Sequence, residues 1–205
     1  MNTILDDEQR EKYKADIDEL FTLCPDMMNR KYLRANVQQG FVFNKVKELS
    51  TLSSDILCVG SHEDTACEGL KKTGYNVTAI DPVVNMDLDT FYKKSDGKKY
   101  DIVFSTSVIE HVPQDEPFID QICKLLNPNG YAVLTCDFNN DYGKKAEAPV
   151  GDFRLYTKND LLVRFDKILK ENGCEMFGEI NYESPPDFNF GGCIYSFATY
   201  VFTKL

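Results

Sequence analysis

In this chain of 205 residues, short polar clusters follow β-rich runs at regular intervals. Gly60-Ser61-His62-Glu63-Asp64 follows Asp55–Val59, Asp81-Pro82 follows Asn76–Ile80, and Ser105-Thr106-Ser107 with Glu110-His111 follows Tyr100–Phe104. Gly60 carries no side chain, so a ligand can approach its backbone. Asp81, 21 residues beyond it, has acceptors on both carboxylate oxygens and suits a vicinal diol such as a ribose. A tight turn plus a helix-capping aspartate would use the same two residues and is the alternative at this point. The chain holds only two histidines. An unperturbed imidazole titrates near pH ~6.5 and can accept a proton near neutrality, which makes His111 the candidate general base. Its structural alternative is to start a helix and pack under the loop. Glu110 reads as a helix-start carboxylate favoured by the dipole, and His62 ranks below His111.

These residues need a frame that brings strand ends together. Residues 1–50 are helical in pattern, with Ile17, Leu20 and Phe21 on one face and Leu33, Val37 and Val42 recurring in a second segment, the two separated by Pro25. From residue 51, β-rich runs alternate with amphipathic helices, the pattern of parallel βαβ winding. Strands are predicted at 55–60, 76–81, 100–105 and 131–136. A helix from Glu63 stops at Gly74, and another carries Phe118, Ile119, Ile122, Leu125 and Leu126 on one face. A further helix begins near Thr157, with Asp160 forming a weak capping box, and stops at Gly173. Two late β-rich runs, 175–182 and 196–203, form a closing hairpin around a Pro- and Gly-rich loop at 184–192. In such a sheet, ligands bind outside the carboxyl ends of the strands.

The ordered set Asp55-Ile-Leu-Cys-Val-Gly60, Val77-Thr-Ala-Ile-Asp81, Tyr100-Asp-Ile-Val-Phe-Ser-Thr-Ser-Val-Ile-Glu110-His111-Val and Leu126-Asn-Pro-Asn-Gly130-Tyr-Ala-Val-Leu-Thr resembles class I S-adenosylmethionine-dependent methyltransferases over roughly residues 52–138. The resemblance implies an α/β fold, a Rossmann-like doubly wound and mostly parallel sheet with a C-terminal antiparallel hairpin and an N-terminal helical extension. It divides the chain into an extension or cap at 1–50 and a cofactor-binding methyltransferase domain at 51–205. By the same resemblance Gly60, Ser61 and His62 lie against the methionine end of S-adenosyl-L-methionine. Asp81 and Pro82 lie at the ribose, Asp87 and Leu88 at the adenine, and Ser105, Thr106 and Ser107 on the floor near the sulfonium. Two departures stand out. His62 and Asp64 occupy the places of the second and third loop glycines. Only a short segment separates Asp81 from Asp87, where relatives often insert a helix and a strand, so that sheet edge is expected to be shortened. Some relatives carry a Glu-x-x-Glu-His metal cluster; here the first position is Ser107, and no metal site is expected.

The stretch from Asp137 to Thr157 is long for a connection between strand and helix, and long loops in compact domains are often functional. Arg154 is a candidate for pairing with an acceptor carboxylate or phosphate, with a structural ion pair as its alternative, and Tyr156 for stacking or hydrogen bonding. The Arg154-Leu-Tyr-Thr157 run before a helix resembles methyltransferases acting on sugars or glycan precursors. The expected function is therefore methyl transfer to a hydroxyl or amine of a small polar acceptor, a sugar or glycan precursor among them. A non-catalytic module that binds or activates a partner protein is the alternative, made plausible by the missing glycines. A nicotinamide-dependent oxidoreductase gains little support without a full Gly-x-Gly-x-x-Gly. A net charge of −10 weighs against nucleic acid as a partner, and no apolar stretch is long enough to span a membrane. The seven scattered cysteines read as reduced core residues of a cytoplasmic protein.

Overall fold

Side-chain alternation along the inner strands sets two helical layers against one sheet. The computed structural model describes residues 1–205. Its elements are β1 (Asn2–Thr3), α1 (Asp7–Lys12), α2 (Lys14–Leu23), α3 (Pro25–Arg30), α4 (Asn36–Leu49), β2 (Ile56–Val59), α5 (Thr65–Lys72), β3 (Val77–Ile80) and α6 (Leu88–Lys94). There follow β4 (Tyr100–Thr106), α7 (Asp115–Leu125), β5 (Leu126–Phe138), α8 (Phe165–Glu171), β6 (Cys174–Met176), β7 (Ile180–Asn181), β8 (Phe188–Phe190) and β9 (Cys193–Lys204). The main sheet runs β3-β2-β4-β5-β9-β6, with β8 folded onto β9. Strands β3, β2, β4 and β5 are parallel, and β9 is antiparallel to both β5 and β6. This is the mostly parallel α/β sheet with a closing antiparallel pair that the sequence pattern implies. No helix is long and apolar enough to cross a membrane.

On β2, Ile56 and Cys58 face one layer and Leu57 and Val59 the other, as period-two alternation requires. The first face meets Val37, Phe41 and Val42 of α4 and Ala66, Cys67 and Leu70 of α5. The second meets Phe118, Ile119 and Ile122 of α7 and Phe165 and Leu169 of α8. Each such side chain contributes roughly 1.5–3 kcal/mol on full burial. Six of the seven cysteines are buried, five of them in these cores, where a thiol packs as a small hydrophobe.

Several local features depart from the simplest reading of the sequence. The Asn127–Gly130 turn is absorbed into β5 as an irregularity: Tyr100 pairs with Leu126 but Ile102 with Tyr131, and Asn129 takes φ 61°. The 184–192 segment contains the short strand β8, because Phe188 buries against Tyr195 and Phe197 of β9. The helix expected from Thr157 has its capping box, with Thr157 N–H donating to Asp160 Oδ2 (2.9 Å) and Asp160 N–H to Thr157 Oγ1 (3.3 Å). It opens with a turn of π-helix, Asp160–Arg164. At the other end of the chain, Asn2 is fully buried, donating to the Phe177 carbonyl and accepting from Val201 N–H, which fastens β1 to β9.

Two contacts fix the strand-end loops. Gly60 has φ 85°, and a Cβ there would stand 2.3 Å from Val108 Cγ2, so the loops after β2 and β4 meet where only glycine fits. The second contact centres on Asp115, which is buried at the start of α7. It pairs with Arg154 (2.7 Å) and Arg164 (2.8 Å) and accepts from the Tyr156 hydroxyl (3.2 Å). Burial opposes charge on Asp115, but the guanidiniums of Arg164 and Arg154 outweigh it and hold the carboxyl below the usual range. Arg154 also donates to the carbonyls of Val112 and Pro113, and the fully buried Tyr156 to that of Ile109. The assignment of Arg154 and Tyr156 to an acceptor is thus corrected. Their polar atoms are spent stapling the long loop to the segment after β4.

Replacing Asp115 with alanine leaves Arg154 without its carboxylate, while Arg164 keeps Asp160 and Glu116, and should cost about 3 kcal/mol, read as a lower urea midpoint. Gly60→Ala combines left-handed strain with the Val108 clash, and a loss of about 1–3 kcal/mol is expected in the same assay.

Candidate functional site

A single cavity of about 1130 Å³ opens across the carboxyl ends of the parallel strands. Strand order lays its lining out in sequence: Asp81 after β3, Gly60 after β2, Thr106 and Ser107 at β4, Asp137 on β5, and Tyr195 and Phe197 on β9. At about 4.8 Å per strand, Asp81 and Asp137 stand about 14 Å apart, so the two ends of the cavity can hold different groups.

At the β3 end, Asp81 is buried and each carboxylate oxygen already accepts one backbone N–H, from Val83 (2.7 Å) and His62 (3.1 Å). A carboxylate has about four acceptor sites, so capacity for two more donors is left. The bond to His62 also explains how the loop keeps its path without its usual glycines. Asp87 caps α6 through Thr90 N–H (2.8 Å); the Thr90 hydroxyl and then this N–H hold its carboxyl below the usual range, and it lines the cavity with Leu88 and Pro82. Capping and cavity lining thus coexist at Asp87.

In the middle, Asp64 replaces a loop glycine and caps α5 with one oxygen, Cys67 N–H donating to Oδ1 at 2.7 Å. Its Oδ2 is buried without a partner, and the residue lines the cavity. Burial raises the Asp64 carboxyl, against the hydrogen bond from Cys67. Ser107 takes φ 50°, receives its hold from Thr135 (N–H to Oγ1, 3.1 Å) and donates its hydroxyl to Gln38 Oε1 at 2.6 Å. Gln39 of α4 accepts from Ala66 N–H. The N-terminal helices therefore build part of the cavity, with Lys31, Tyr32, Gln38 and Gln39 on its wall. Two polar glutamines inside the buried stretch of α4 were the available sequence signal for this.

The expected residues Gly60, His62, Asp81, Pro82, Asp87, Leu88, Thr106, Ser107 and His111 all line the cavity. Ser61 and Ser105 do not. Ser61 turns its N–H to the Ile80 carbonyl, and Ser105, 2% exposed, points into the protein beneath the floor. In a strand, residues adjacent in sequence face opposite ways, so Ser105 and Thr106 cannot both present side chains to one side.

At the β5 end, His111 Nδ1 lies 3.0 Å from Asp152 Oδ1 and 3.3 Å from the Gly151 carbonyl. The bond to Asp152 pushes the imidazole up to about 9, burial opposing and Glu110 assisting. The Asp152 carboxylate thus favours the imidazolium, which counts against the proton acceptor expected of His111. Glu110 is fully buried on the cavity wall with neither carboxylate oxygen hydrogen-bonded. Asp137 is 5% exposed, and Asp152 lines the same end. Burial raises the carboxyls of both Glu110 and Asp137. Sequence reasoning missed Glu110, Asp137 and Asp152 as cavity residues; only the position of Asp137 at a strand end hinted at it.

A family model described as a methyltransferase domain matches residues 8–179. Among curated relatives, the ubiquinone biosynthesis O-methyltransferase of Rickettsia conorii is 34% identical over 98 residues, covering 40% of this chain and 34% of that protein. The Rickettsia prowazekii protein of the same name is 30% identical over 121 residues, covering 49% of this chain and 47% of its own. The chain thus spans between a third and half the length of the curated relatives it matches. Among solved structures, the Burkholderia thailandensis 1,6-didemethyltoxoflavin-N1-methyltransferase has a TM-score of 0.58 at 13% identity, covering 95% of this chain and 89% of that one. TehB from Haemophilus influenzae has 0.55 at 18%, covering 81% and 62%. With most of its length matched by the family model, and with strand tips that converge on one cleft, the chain belongs to the methyltransferase domain family and has the class I S-adenosylmethionine-dependent methyltransferase fold.

Proposed function

We propose that this chain transfers a methyl group from S-adenosylmethionine to a hydroxyl or amine of a small polar acceptor. The observation that carries this reading is the continuity of one cavity from Asp81 and Asp87 past Gly60 and Ser107 to His111 and Asp137. Its volume exceeds the ~300–1,000 Å³ usual for one small ligand, as a site for cofactor and acceptor together requires. The residues present fit the cofactor. Asp81 has acceptors left for the ribose diol, Asp87 and Leu88 line the adenine side, and Gly60 leaves its backbone open. The unpartnered Asp64 Oδ2 suits the α-ammonium. Pro82, His62, Thr106 and Ser107 complete the wall.

Bound there, S-adenosylmethionine supplies a methyl group activated by a sulfonium. The protein's part is to align an acceptor lone pair with that methyl, and proximity of this kind supplies roughly 7–11 kcal/mol. His111, as a cation paired with Asp152, holds the long loop against the acceptor end. Phe153 N–H donates to the Glu110 carbonyl (2.9 Å) beside it. Residues 1–50 serve as a cap on the domain formed by 51–205, since Tyr32 and Gln38 contribute to its wall.

The relatives' name supports a hydroxyl acceptor for the part of the chain they match. A sugar or glycan precursor keeps only the support of the aromatic wall, because Arg154 and Tyr156 are engaged by Asp115. The non-catalytic module draws support from the absent loop glycines alone. Placement in the cytoplasm rests on the cysteine content.

Calorimetry with S-adenosylhomocysteine tests the reading: binding at sub-millimolar concentration is expected, and none would favour the module. Asp81→Ala should weaken that binding at least tenfold; an unchanged dissociation constant removes Asp81 from the ribose. His111→Ala should lower turnover with cofactor affinity nearly intact. Because the folded pKa is raised, the stability contributed by the His111 pair is full below about pH 6.5 and lost as pH rises through about 9. The stability gap between wild type and His111→Ala should close over that window. A kcat/KM that rises tenfold per pH unit up to pH 9, and loses that limb in the variant, would restore His111 as the base.

A further inference from the structure

The β5 end of the cavity combines two features that point to the charge of its ligand. Five aromatic rings form one continuous wall: Tyr32, Phe188, Phe190, Tyr195 and Phe197 all line the cavity. Phe188 lies 5.2 Å from Tyr195 and 4.8 Å from Phe197 between ring centroids, and Tyr32 lies 5.5 Å from Phe190. Against this wall stand three carboxyl groups, Glu110, Asp137 and Asp152. Asp152 has His111 as its counter-ion. Glu110 and Asp137 have no cation beyond it, and the Glu110 oxygens meet no protein N–H; the two carboxyls face each other, with the Tyr195 phenol beside Asp137.

Leaving a carboxylate buried without donor or counter-charge is costly. We propose that the acceptor is a small amine carried on an apolar or aromatic body, its ammonium received by Glu110 and Asp137 and its body by the aromatic wall. This rests on the function proposed above and selects one of its two acceptor classes. An ammonium brings three donors and a full charge, whereas a hydroxyl brings one donor and none. Aromatic faces attract a cation as well as an apolar body. The cofactor's own ammonium is accounted for elsewhere, at Asp64 beside β2, two strands from Asp137.

The same carboxyls can carry the proton step. An ammonium has no lone pair, so it first gives one proton to Glu110 or Asp137, leaving R–NH2 and a carboxylic acid. The nitrogen lone pair then forms the N–C bond while the C–S bond breaks, its electron pair staying on sulfur. The products are a methylated ammonium and the neutral thioether. Burial raises both carboxyls, aided by repulsion from Asp152 at Glu110 and from Glu110 and Asp152 at Asp137, with His111 and the Tyr195 phenol the other titratable groups around them. Two carboxyl groups sharing one buried site do not both ionise readily, so the empty pair retains a proton that an incoming cation expels.

Calorimetry on the full chain saturated with S-adenosylhomocysteine separates the possibilities, using matched pairs such as 2-phenylethylamine with 2-phenylethanol and n-butylamine with n-butanol. Runs in phosphate and in Tris at one pH reveal proton release. The amine of at least one pair is expected to bind tenfold tighter or better than its alcohol, with protons released. Glu110→Gln and Asp137→Asn should each abolish the preference and the release while S-adenosylhomocysteine affinity stays within twofold. Equal binding of amine and alcohol, no binding of either member of any pair, or a preference that survives both substitutions overturns the inference. A fall in S-adenosylhomocysteine affinity in both variants also overturns it, assigning the carboxyls to the cofactor. The wild-type comparison stands even if a variant fails to fold. Absence of S-adenosylhomocysteine binding by the wild type would instead overturn the underlying function.

Discussion

The meeting of Gly60 and Val108 is the constraint on which the rest of the cleft depends. Parallel strands deliver their carboxyl ends to one edge, but the loops beyond them are free to diverge. Here the loop after β2 and the loop after β4 touch where no Cβ fits. That contact holds the first loop against the loop after β4, while the Gly60 and Ser61 amides donate to the Ile80 carbonyl of β3. Asp81 completes the arrangement from β3 by accepting His62 N–H. Three adjacent strand ends are thus tied by one steric and one polar contact.

A second set of ties works at the opposite side. Asp115 gathers Arg154, Arg164 and Tyr156, and the long connection after β5 is laid along the segment after β4. The β8–β9 arm is held similarly: Asp187, just before β8, pairs with Arg10 (2.6 Å) and Arg34 (2.8 Å) of the N-terminal region. The aromatic wall therefore has rigid backing. Its position depends on charges far from the cavity, which serve the geometry of the site without touching a ligand.

The fold was legible because period-two runs and their turn residues are local signals. The strands at 55–60, 76–81 and 100–105, the stops at Gly74 and Gly173 and the Thr157 capping box are each written in a few adjacent residues. Cofactor-side residues such as Asp81 and Asp87 were legible for the same reason, since strand ends place them. Arg154 and Tyr156 misled, because their partner Asp115 lies some forty residues away in sequence. Nothing in the local run tells a ligand-binding arginine from one that a buried aspartate will claim. Glu110 and Asp137 were hidden for a related reason: burial and lack of partners exist only in three dimensions. Ser105 was lost to simple alternation, a local rule that the reading of a three-residue floor overlooked.

The shortened sheet edge has its own consequence. With no strand beyond it, β3 bears a row of unpaired backbone groups, the kind of rim that recruits a strand from another molecule. The rim is only four residues long, and Asn85 blunts it by donating its side-chain amide to the Ala79 carbonyl (3.0 Å). The Asp81–Asn85 turn, which receives the ribose in the proposed function, thereby also guards against edge-to-edge association, and a change at Asn85 bears on colloidal behaviour as much as on ligand affinity.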